Sequence, residues 1–326
     1  MMSYEVVLRN KYYLSGLIES ISLTDSLDMI AYQGTLNMKI PADFPGIEPG
    51  QEIRVSGTPF GGSSKVYLLH PGVVWECSSS VDQSKHMRVS FYDRTIYLAR
   101  SEDECLFSAG GTATQRLKKY AADWNIKLAP SLPDTKQRLK KAVYRAQTIY
   151  NMIMSDLKET VKAGGDMYIP RMTPSGLGLF KIGSNETVWV LGGIESSTQN
   201  RTLEETVTKV KVLGTADGKE DAPSKVLAIA AGETAKYGVL QRIVHDDDVK
   251  SVEAAKKLAQ SKLTGIGETY TVQCIDLNTI RAGDRVSWGG QQLIVTGVTH
   301  DLGNPGHMTL DLTTLADVKR RYFLDS

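Results

Sequence analysis

Apolar and polar side chains alternate most clearly near the C-terminal end of the chain, over Glu268–Thr313. Tyr270, Val272 and Cys274 alternate with Thr269, Thr271 and Gln273, and Met308, Leu310 and Leu312 alternate with Thr309, Asp311 and Thr313. Each stretch therefore has one apolar face at the two-residue period of a strand. Between them AGDRVSW (Ala282–Trp288) reads as a turn feeding a strand, because Gly283 supplies the backbone freedom a turn needs before Val286 and Trp288. LIVTGVTH then predicts a longer strand that pairs with HMTLDLTT across the DLGNPG connection at Asp301–Gly306. Short strands are also predicted early in the chain, at Val6–Leu8, Ile18–Leu23, Thr35–Ile40, Glu52–Val55, Val66–Leu69, Val73–Cys77 and Met87–Tyr92. Pro45–Gly46, Pro49–Gly50, Pro59 with Gly61–Gly62, and Pro71–Gly72 separate them. A sheet with one apolar face must bury it, so the run over Glu268–Thr313 is expected to be either a small barrel or half of a sandwich, and the spacing of the early strands predicts a closed or nearly closed β-barrel at the start of the chain.

The period changes after Thr112. Ala113, Leu117, Tyr120, Ala121 and Trp124 recur at helical spacing, with Arg116, Lys118, Lys119 and Asp123 assigned to the opposite, solvated side and Thr112 as the cap. Beyond Pro130–Pro133, the positions Ala146, Ile149, Tyr150, Ile153, Leu157 and Val161 predict a second amphipathic helix, with Lys158 and Lys162 in its last turn and Gly164–Gly165 ending it. Strands follow around Met167–Ile169, Leu179–Ile182 and Val188–Leu191, and Glu205–Leu213 reads as a strand with a polar face. After the loop Thr215–Pro223 comes a small α/β insert. Its strands are predicted at Val226–Ala230 and Gly238–Val244, and its helix from about Val249 to Leu263, capped by Asp248, with Val252, Ala255, Leu258 and Ala259 on one face.

Composition narrows the class without assigning a role. The 326 residues are 41% hydrophobic and 23% charged, which suits a globular protein of two or three domains. A net charge of +1 gives no concentrated basic field for nucleic acid. The modestly basic stretch Gln115–Lys119 with Lys136, Arg138, Lys140, Lys141 and Arg145 reads first as a solvated face. Cys77, Cys105 and Cys274 have neither paired spacing nor a C-x-x-C motif, so a disulfide or zinc framework is not expected, and Cys274, with Cys77 as the second candidate, reads as a strand core residue. The start lacks a long apolar segment and no later stretch approaches the roughly 20 apolar residues of a membrane span, so neither export nor membrane insertion is expected.

Candidate chemistry is thin. His245–Asp248, HDDD, offers nitrogen and oxygen ligands for a divalent ion, but capping and solvation account for it more simply. His300 and His307 flank the DLGNPG turn and could face each other with Asp301 or Asp311 nearby, the minimum for a hydrolytic or metal pair. Hairpin pairing without chemistry is the simpler account. No H-E-x-x-H or G-x-S-x-G motif occurs, and the glycine pairs Gly61–Gly62, Gly110–Gly111, Gly192–Gly193 and Gly289–Gly290 lack a phosphate-loop lysine.

A possible internal duplication carries more weight than any motif. PGQEIRV (Pro49–Val55) and AGDRVSW (Ala282–Trp288) share the order of turn, glycine, polar pair and strand, and each leads to a similar closing strand, MRVSFYD (Met87–Asp93) and MTLDLTT (Met308–Thr314). Chance reuse of hairpins is the competing account.

In its order of pieces the chain resembles the baseplate or tail hub proteins of contractile-tailed phages and phage-derived particles. The likeness is to the hub family of prophages of Gram-positive bacteria, related to the phage late control protein D group. The pieces that carry it are Ser90–Asp103, Gly110–Ile126, Lys162–Arg171, Asn200–Gly214, Lys236–Asp248, Arg281–Trp288 and Val295–Leu312. The resemblance implies a mainly β chain with α+β insertions and two tube-protein-like β-barrels. It divides the chain into a first barrel at 1–108, a helical α+β domain at 109–187, a second barrel from 188–215 and 268–315, a small α/β insert at 216–267 and a C-terminal tail at 316–326. It further implies a homotrimeric ring that adapts a six-fold tail tube to a three-fold spike. Its implied partners are the tail tube protein or a distal tube adaptor, the central spike, baseplate wedge proteins and the tape measure protein, with no membrane and no specific nucleic-acid binding. The implied location is the virion or tail-like particle, assembled in the host cytoplasm.

The expected role is structural rather than enzymatic, with no catalytic, cofactor-binding or metal-ligating residues assigned and no cofactor. Glu205, Lys209 and Lys211 are candidates for the channel lining. Two alternatives remain at this point. One is a cell-envelope peptidoglycan hydrolase or protease using His300 and His307; the other is a carbohydrate-binding module built on Tyr12, Tyr13, Trp75 and Trp189.

Overall fold

The computed structural model describes residues 4–42, 44–81, 85–214, 224–245, 249 and 251–324. The chain forms two compact units, one of Met1–Thr198 with Tyr270–Ser326 and one of Gln199–Thr269.

The first unit opens with β1 (Tyr4–Leu8), β2 (Tyr12–Tyr13), β3 (Ile18–Ser26), β4 (Gln33–Lys39), β5 (Glu52–Gly57), β6 (Val66–Val81) and β7 (Lys85–Asp93). Alternation sets their faces: Leu36 and Met38 of β4 and Val89 and Phe91 of β7 are buried, while Asn37 and Lys39 face solvent. Gly34 stands opposite Phe91, and a Cβ at Gly34 would fall within 2.1 Å of that ring, so the missing side chain makes room for the aromatic one. Pro71–Gly72, predicted to break the chain, instead lies inside the long β6. The β5–β6 ladder slips in register beside it, and Gly72 allows Ile53 O and Leu69 to approach where a Cβ would clash.

A helical layer follows: α1 (Ile96–Arg100), β8 (Glu102–Phe107), α2 (Ala113–Asp123), β9 (Ala142–Thr148), α3 (Ile149–Lys162), β10 (Tyr168–Thr173) and β11 (Gly176–Lys181). Thr112 caps α2 in a reciprocal capping box with Gln115, as the sequence indicates. The second helix starts later than its apolar spacing predicts, at Ile149 under the Thr148 cap, because Ala146 belongs to β9. Arg116 departs from expectation more sharply. It lies on the apolar stripe with Ala113, Leu117 and Tyr120, is 2% exposed, and its Nη1 donates to Asp156 Oδ1 at 2.6 Å. Asp156 also accepts from Tyr120 Oη at 3.3 Å and Tyr144 Oη at 2.5 Å, so a polar knot sits between α2 and α3, in which Arg116 Nε alone is left without a hydrogen-bond partner.

Two further strands of the large sheet follow, β12 (Trp189–Val190) and β13 (Ile194–Thr202). The second unit contains β14 (Lys209–Leu213), β15 (Val226–Ala231), α4 (Thr234–Tyr237), β16 (Gln241–His245) and α5 (Val252–Ser261). Here β14 runs between antiparallel β15 and parallel β16, and α5 covers one face through Ala255 and Ala259 against Val210, Val212 and Ala228. Ser251 caps α5 by accepting from Ala254 N–H; the expected cap, Asp248, lies outside the described residues. The chain then returns through β17 (Gly267–Ile275), β18 (Arg285–Trp288), β19 (Gln291–Asp301) and β20 (His307–Thr313). It finishes in α6 (Leu315–Lys319) and a π-helical turn at Arg320–Leu324, whose Phe323 is buried with Leu27, Ile182 and Ile294. No helix among the described residues is long and apolar enough to cross a membrane.

The mainly β architecture with α+β insertions stands, but the two β-barrels do not. Among the described residues, one open 13-stranded sheet runs β13-β17-β20-β19-β3-β4-β7-β6-β5-β1-β2, with β18 and β12 branching from β19, and no ladder joins its ends. The reason is visible in β19. Its first residues pair with β18, and on the same side Gly297–Asp301 pair with β3, so an edge needed to close the later strands on themselves is occupied by the earlier ones. The polar strand carrying Lys209 and Lys211 lies in the small sheet of the second unit, not in the large sheet.

Replacing Arg116 with alanine leaves Asp156 buried without its cation, which should lower unfolding free energy by about 3–5 kcal/mol. Lys119→Ala, which removes only an exposed pair with Asp123, should cost less than about 1 kcal/mol. Urea unfolding of the two variants checks this, and equal losses would contradict the buried role of Arg116.

Candidate functional site

The large sheet contains the same strand unit twice. β5, β6 and β7 form an antiparallel meander with β4 beyond β7, and β18, β19 and β20 form one with β17 beyond β20. The central strands slip at the same place: β6 steps from Val74 opposite Phe91 to Glu76 opposite Ser90, and β19 steps from Val295 opposite Leu312 to Gly297 opposite Asp311. The pairs Glu52–Val73 and Ile53–Gly72 correspond to Arg285–Ile294 and Val286–Leu293. The entering turns match as well. Gly50 N–H donates to Val74 O at 2.8 Å and Gly283 N–H to Val295 O at 2.7 Å, and both glycines take left-handed φ values of 88° and 91°. These contacts align PGQEIRV with AGDRVSW residue by residue.

The correspondence extends to the outer strands. β3 lies beside β4 and β13 beside β17; both outer strands are nine residues long and both begin Ile-Glu-Ser. Glu19 on β3 reaches His86 on β7 at 3.0 Å, and Glu195 on β13 reaches His307 on β20 at 2.8 Å, so the same carboxylate–imidazole contact spans the same strands in both halves. On the core side, Leu36, Met38, Val89 and Phe91 occupy the places of Val272, Cys274, Leu310 and Leu312, and all eight are buried.

The halves join at one seam, where Ser22–Ser26 of β3 pair antiparallel with Gly297–Asp301 of β19. Leu27 N–H donates to Thr296 O at 2.8 Å and Leu302 N–H to Ile21 O at 3.0 Å, extending the seam at each end. Asp25 is buried there and accepts from Arg281 Nε at 2.5 Å and Ala282 N–H at 3.1 Å. The Arg281 guanidinium also lies 3.7 Å from the Tyr32 ring centre. Beside it Arg171 donates to Asp284 Oδ1 at 3.2 Å and stacks over Phe180 at 3.8 Å. Burial lowers the Arg171 pKa and raises that of Asp284, and each partner opposes the shift of the other. Unpaired, any of these ions would be costly at such depth, so the charge pairs specify the seam geometry.

Asp93 sits close by with only neutral donors. It accepts from Thr95 N–H at 2.9 Å, Tyr32 N–H at 3.3 Å and the Thr95 hydroxyl. Burial pushes its carboxyl up to about 6. Between its ordinary range and about 6 the folded chain holds a proton that the unfolded chain does not, so this group makes stability fall as pH rises through that window. Asp93→Asn should flatten the decline relative to wild type in melting temperatures taken from pH 4 to 7. Parallel curves would contradict the assignment.

The residues singled out for chemistry do not converge. His300 is fully buried, with Nδ1 2.6 Å from Asp276 Oδ1 and Nε2 2.8 Å from Ile280 O, so both nitrogens are aimed at oxygen acceptors and no lone pair faces solvent. Register puts Met308 opposite His300 and Asp301 opposite His307, so the two histidines point to opposite faces of the hairpin. His245 ends β16, while Asp246–Asp248 lie outside the described residues. Among the described residues no cluster of three His, Cys, Asp or Glu could hold a metal ion. A cleft of about 590 Å³ is lined by Glu52, His70 and Ser101, but no hydrogen bond links these three, and His70 Nδ1 has no partner. The aromatic residues considered for sugar binding go to separate places: Tyr12 meets Phe44, Trp75 meets Tyr92 and Tyr97, and Trp189 meets Phe60. The feature missed in the sequence is β13, whose residues IESSTQNRT show no alternation; its likeness to IESISLTDS in β3 was the available signal.

Two curated proteins of Bacillus subtilis align with part of the chain. The uncharacterized protein YqbQ is 27% identical over 205 residues, and the phage-like element PBSX protein XkdQ is 28% identical over 204 residues. Each alignment covers 60% of this chain and 61% of the relative. The 43 kDa tail protein of prophage MuSo2 from Shewanella oneidensis shares the fold with a TM-score of 0.70 at 14% identity, over 96% of this chain and 98% of that one. The sequence profile of the YqbQ-like family matches residues 26–313, and the chain belongs to that family.

Proposed function

We propose that this chain is a structural hub of a contractile phage tail or tail-like particle. Three copies would close head-to-tail into a ring that meets a six-fold tail tube on one side and a three-fold spike on the other. The carrying observation is the repeated strand unit: one chain presents it twice, so three chains present it six times, and a ring of three acquires six near-equivalent positions. Fold likeness to a prophage tail protein over nearly the whole chain supports the setting. The name of XkdQ, a protein of a phage-like element, supports it as well.

The role is mechanical rather than catalytic. Polar and charged groups at the seam are consumed in pairing strands, and the histidines considered for hydrolysis are held by carboxylates on opposite faces of one hairpin. The partners of such a ring are the tube protein or a distal tube adaptor, the spike, and wedge proteins of the baseplate, within the particle.

Mass measurement of tail tips reconstituted with the tube and spike proteins tests this reading. Three copies of the chain per tip are expected. A single copy, or six, would contradict it.

A further inference from the structure

One joint between repeated units is made inside the chain, and the groups for a second, matching joint are left at the two ends of the repeat. The first joint is β3 against the later part of β19. The counterpart of β3 is β13, the last strand of the large sheet, with no strand on its outer side among the described residues. None of its nine residues is buried. The counterpart of the later part of β19 is Glu76–Val81 of β6. These residues pair with β7 on one side, while β5 covers only Val66–Val73 on the other. Unpaired strand edges of this kind are templates for another strand.

We infer that β13 of one copy adds, antiparallel, to the edge of β6 at Glu76–Val81 in the next copy, reproducing between chains the β3–β19 seam within each chain. This rests on the ring proposed above and names its joint. Side-chain contacts fix the register of β13. Ser196 meets Gln273 and Arg201 meets Glu268, so β13 runs antiparallel to β17 and its residues can be matched to those of β3. Ser22 then corresponds to Thr198, Thr24 to Asn200, Asp25 to Arg201 and Leu27 to Leu203. On the other strand, Thr296 corresponds to Trp75, Thr299 to Ser78, Asp301 to Ser80 and Leu302 to Val81. Transferring the seam puts Thr198 opposite Ser80 and Asn200 opposite Ser78 of the next copy.

Two independent features fit this register. Leu27 and Leu302, which close the ends of the internal seam, are 6% and 8% exposed, whereas their counterparts Leu203 and Val81 are 43% and 76% exposed. Apolar side chains are thus already present at both ends of the uncovered edge, where the copied seam would bury them. The charges also correspond, with reversed sign. The internal seam pairs Asp25 with Arg281; the matching positions are Arg201 on β13 and Glu48 before β5, an acid where the later repeat has its base. Glu48 is exposed, and Arg201 is exposed in its pair with Glu268. A cation facing an anion across the joint is retained although both residue types have been exchanged, and the exchange favours β13 meeting β6 of another copy.

Cysteines test the register. The double variant Ser80→Cys with Thr198→Cys, assembled into tail tips and mildly oxidised, should give disulfide-linked dimers and trimers on a non-reducing gel. A mixture of the two single variants should give dimers only, and the wild-type chain, with its half-buried Cys77 and Cys105, sets the background. A second pair, Ser78→Cys with Asn200→Cys, reports the same register from its neighbour. In a parallel arm, Glu48→Arg should reduce tip assembly at least about tenfold, equivalent to about 1.4 kcal/mol, and adding Arg201→Glu should restore it. Three copies per tip with neither cysteine pair cross-linked, or no rescue by the charge exchange, would overturn this joint and leave the ring intact. Tips without three copies would overturn the ring and the joint together.

Discussion

An open strand edge has to be met by something, and the way β19 meets this requirement organises the large sheet. One side of a single strand is divided between two partners, β18 for its first residues and β3 for its last. A slip in register at Val295–Gly297 lies between those two segments, and such slips bend a strand and increase its twist. The buried Asp25–Arg281 pair locks the seam, because separating β3 from β19 would strand a carboxylate in the interior. From this arrangement follow, among the described residues, the absence of closed barrels, the single sheet running through both repeats, and the two uncovered edges, one on β13 and one on the later part of β6.

Much of the repeat was legible in the sequence, and the reason is local. Gly50 and Gly283 hold left-handed turns that feed a strand, and MRVSFYD and MTLDLTT alternate because each has one face on a core. Capping signals at Thr112 were equally readable, since a hydroxyl followed three residues later by glutamine is a purely local device. What could not be read were features decided by distant partners. Arg116 looks like a surface residue until Asp156 arrives from another helix. Strand β13 has no apolar face to betray it, and the sequence alone does not tell whether a sheet closes on itself or pairs with its repeat. The barrel expectation failed for that last reason: alternation specifies faces, while closure depends on which edge reaches which.

The candidate site was less legible than the fold. His300 and His307 invited a catalytic reading because they flank one turn, yet hairpin register turns them to opposite faces. Their structural meaning emerged only by comparison between repeats, where His307 with Glu195 proved to match His86 with Glu19. The proposed ring would also account for the polar residues on β13. A strand that waits for a partner must remain soluble beforehand, and exposed serine, threonine, asparagine and glutamine serve that purpose without preventing main-chain pairing.

The central claim is that one strand unit, repeated within each chain, is repeated again between chains. A density map of an assembled tail tip, at a resolution that separates strands, tests it most directly. The account predicts six such units around the channel, linked alternately by the β3–β19 seam within a chain and by β13 against β6 between chains. A map in which the two repeats of one chain are not related by rotation about the channel, or in which β13 faces open solvent, would contradict it.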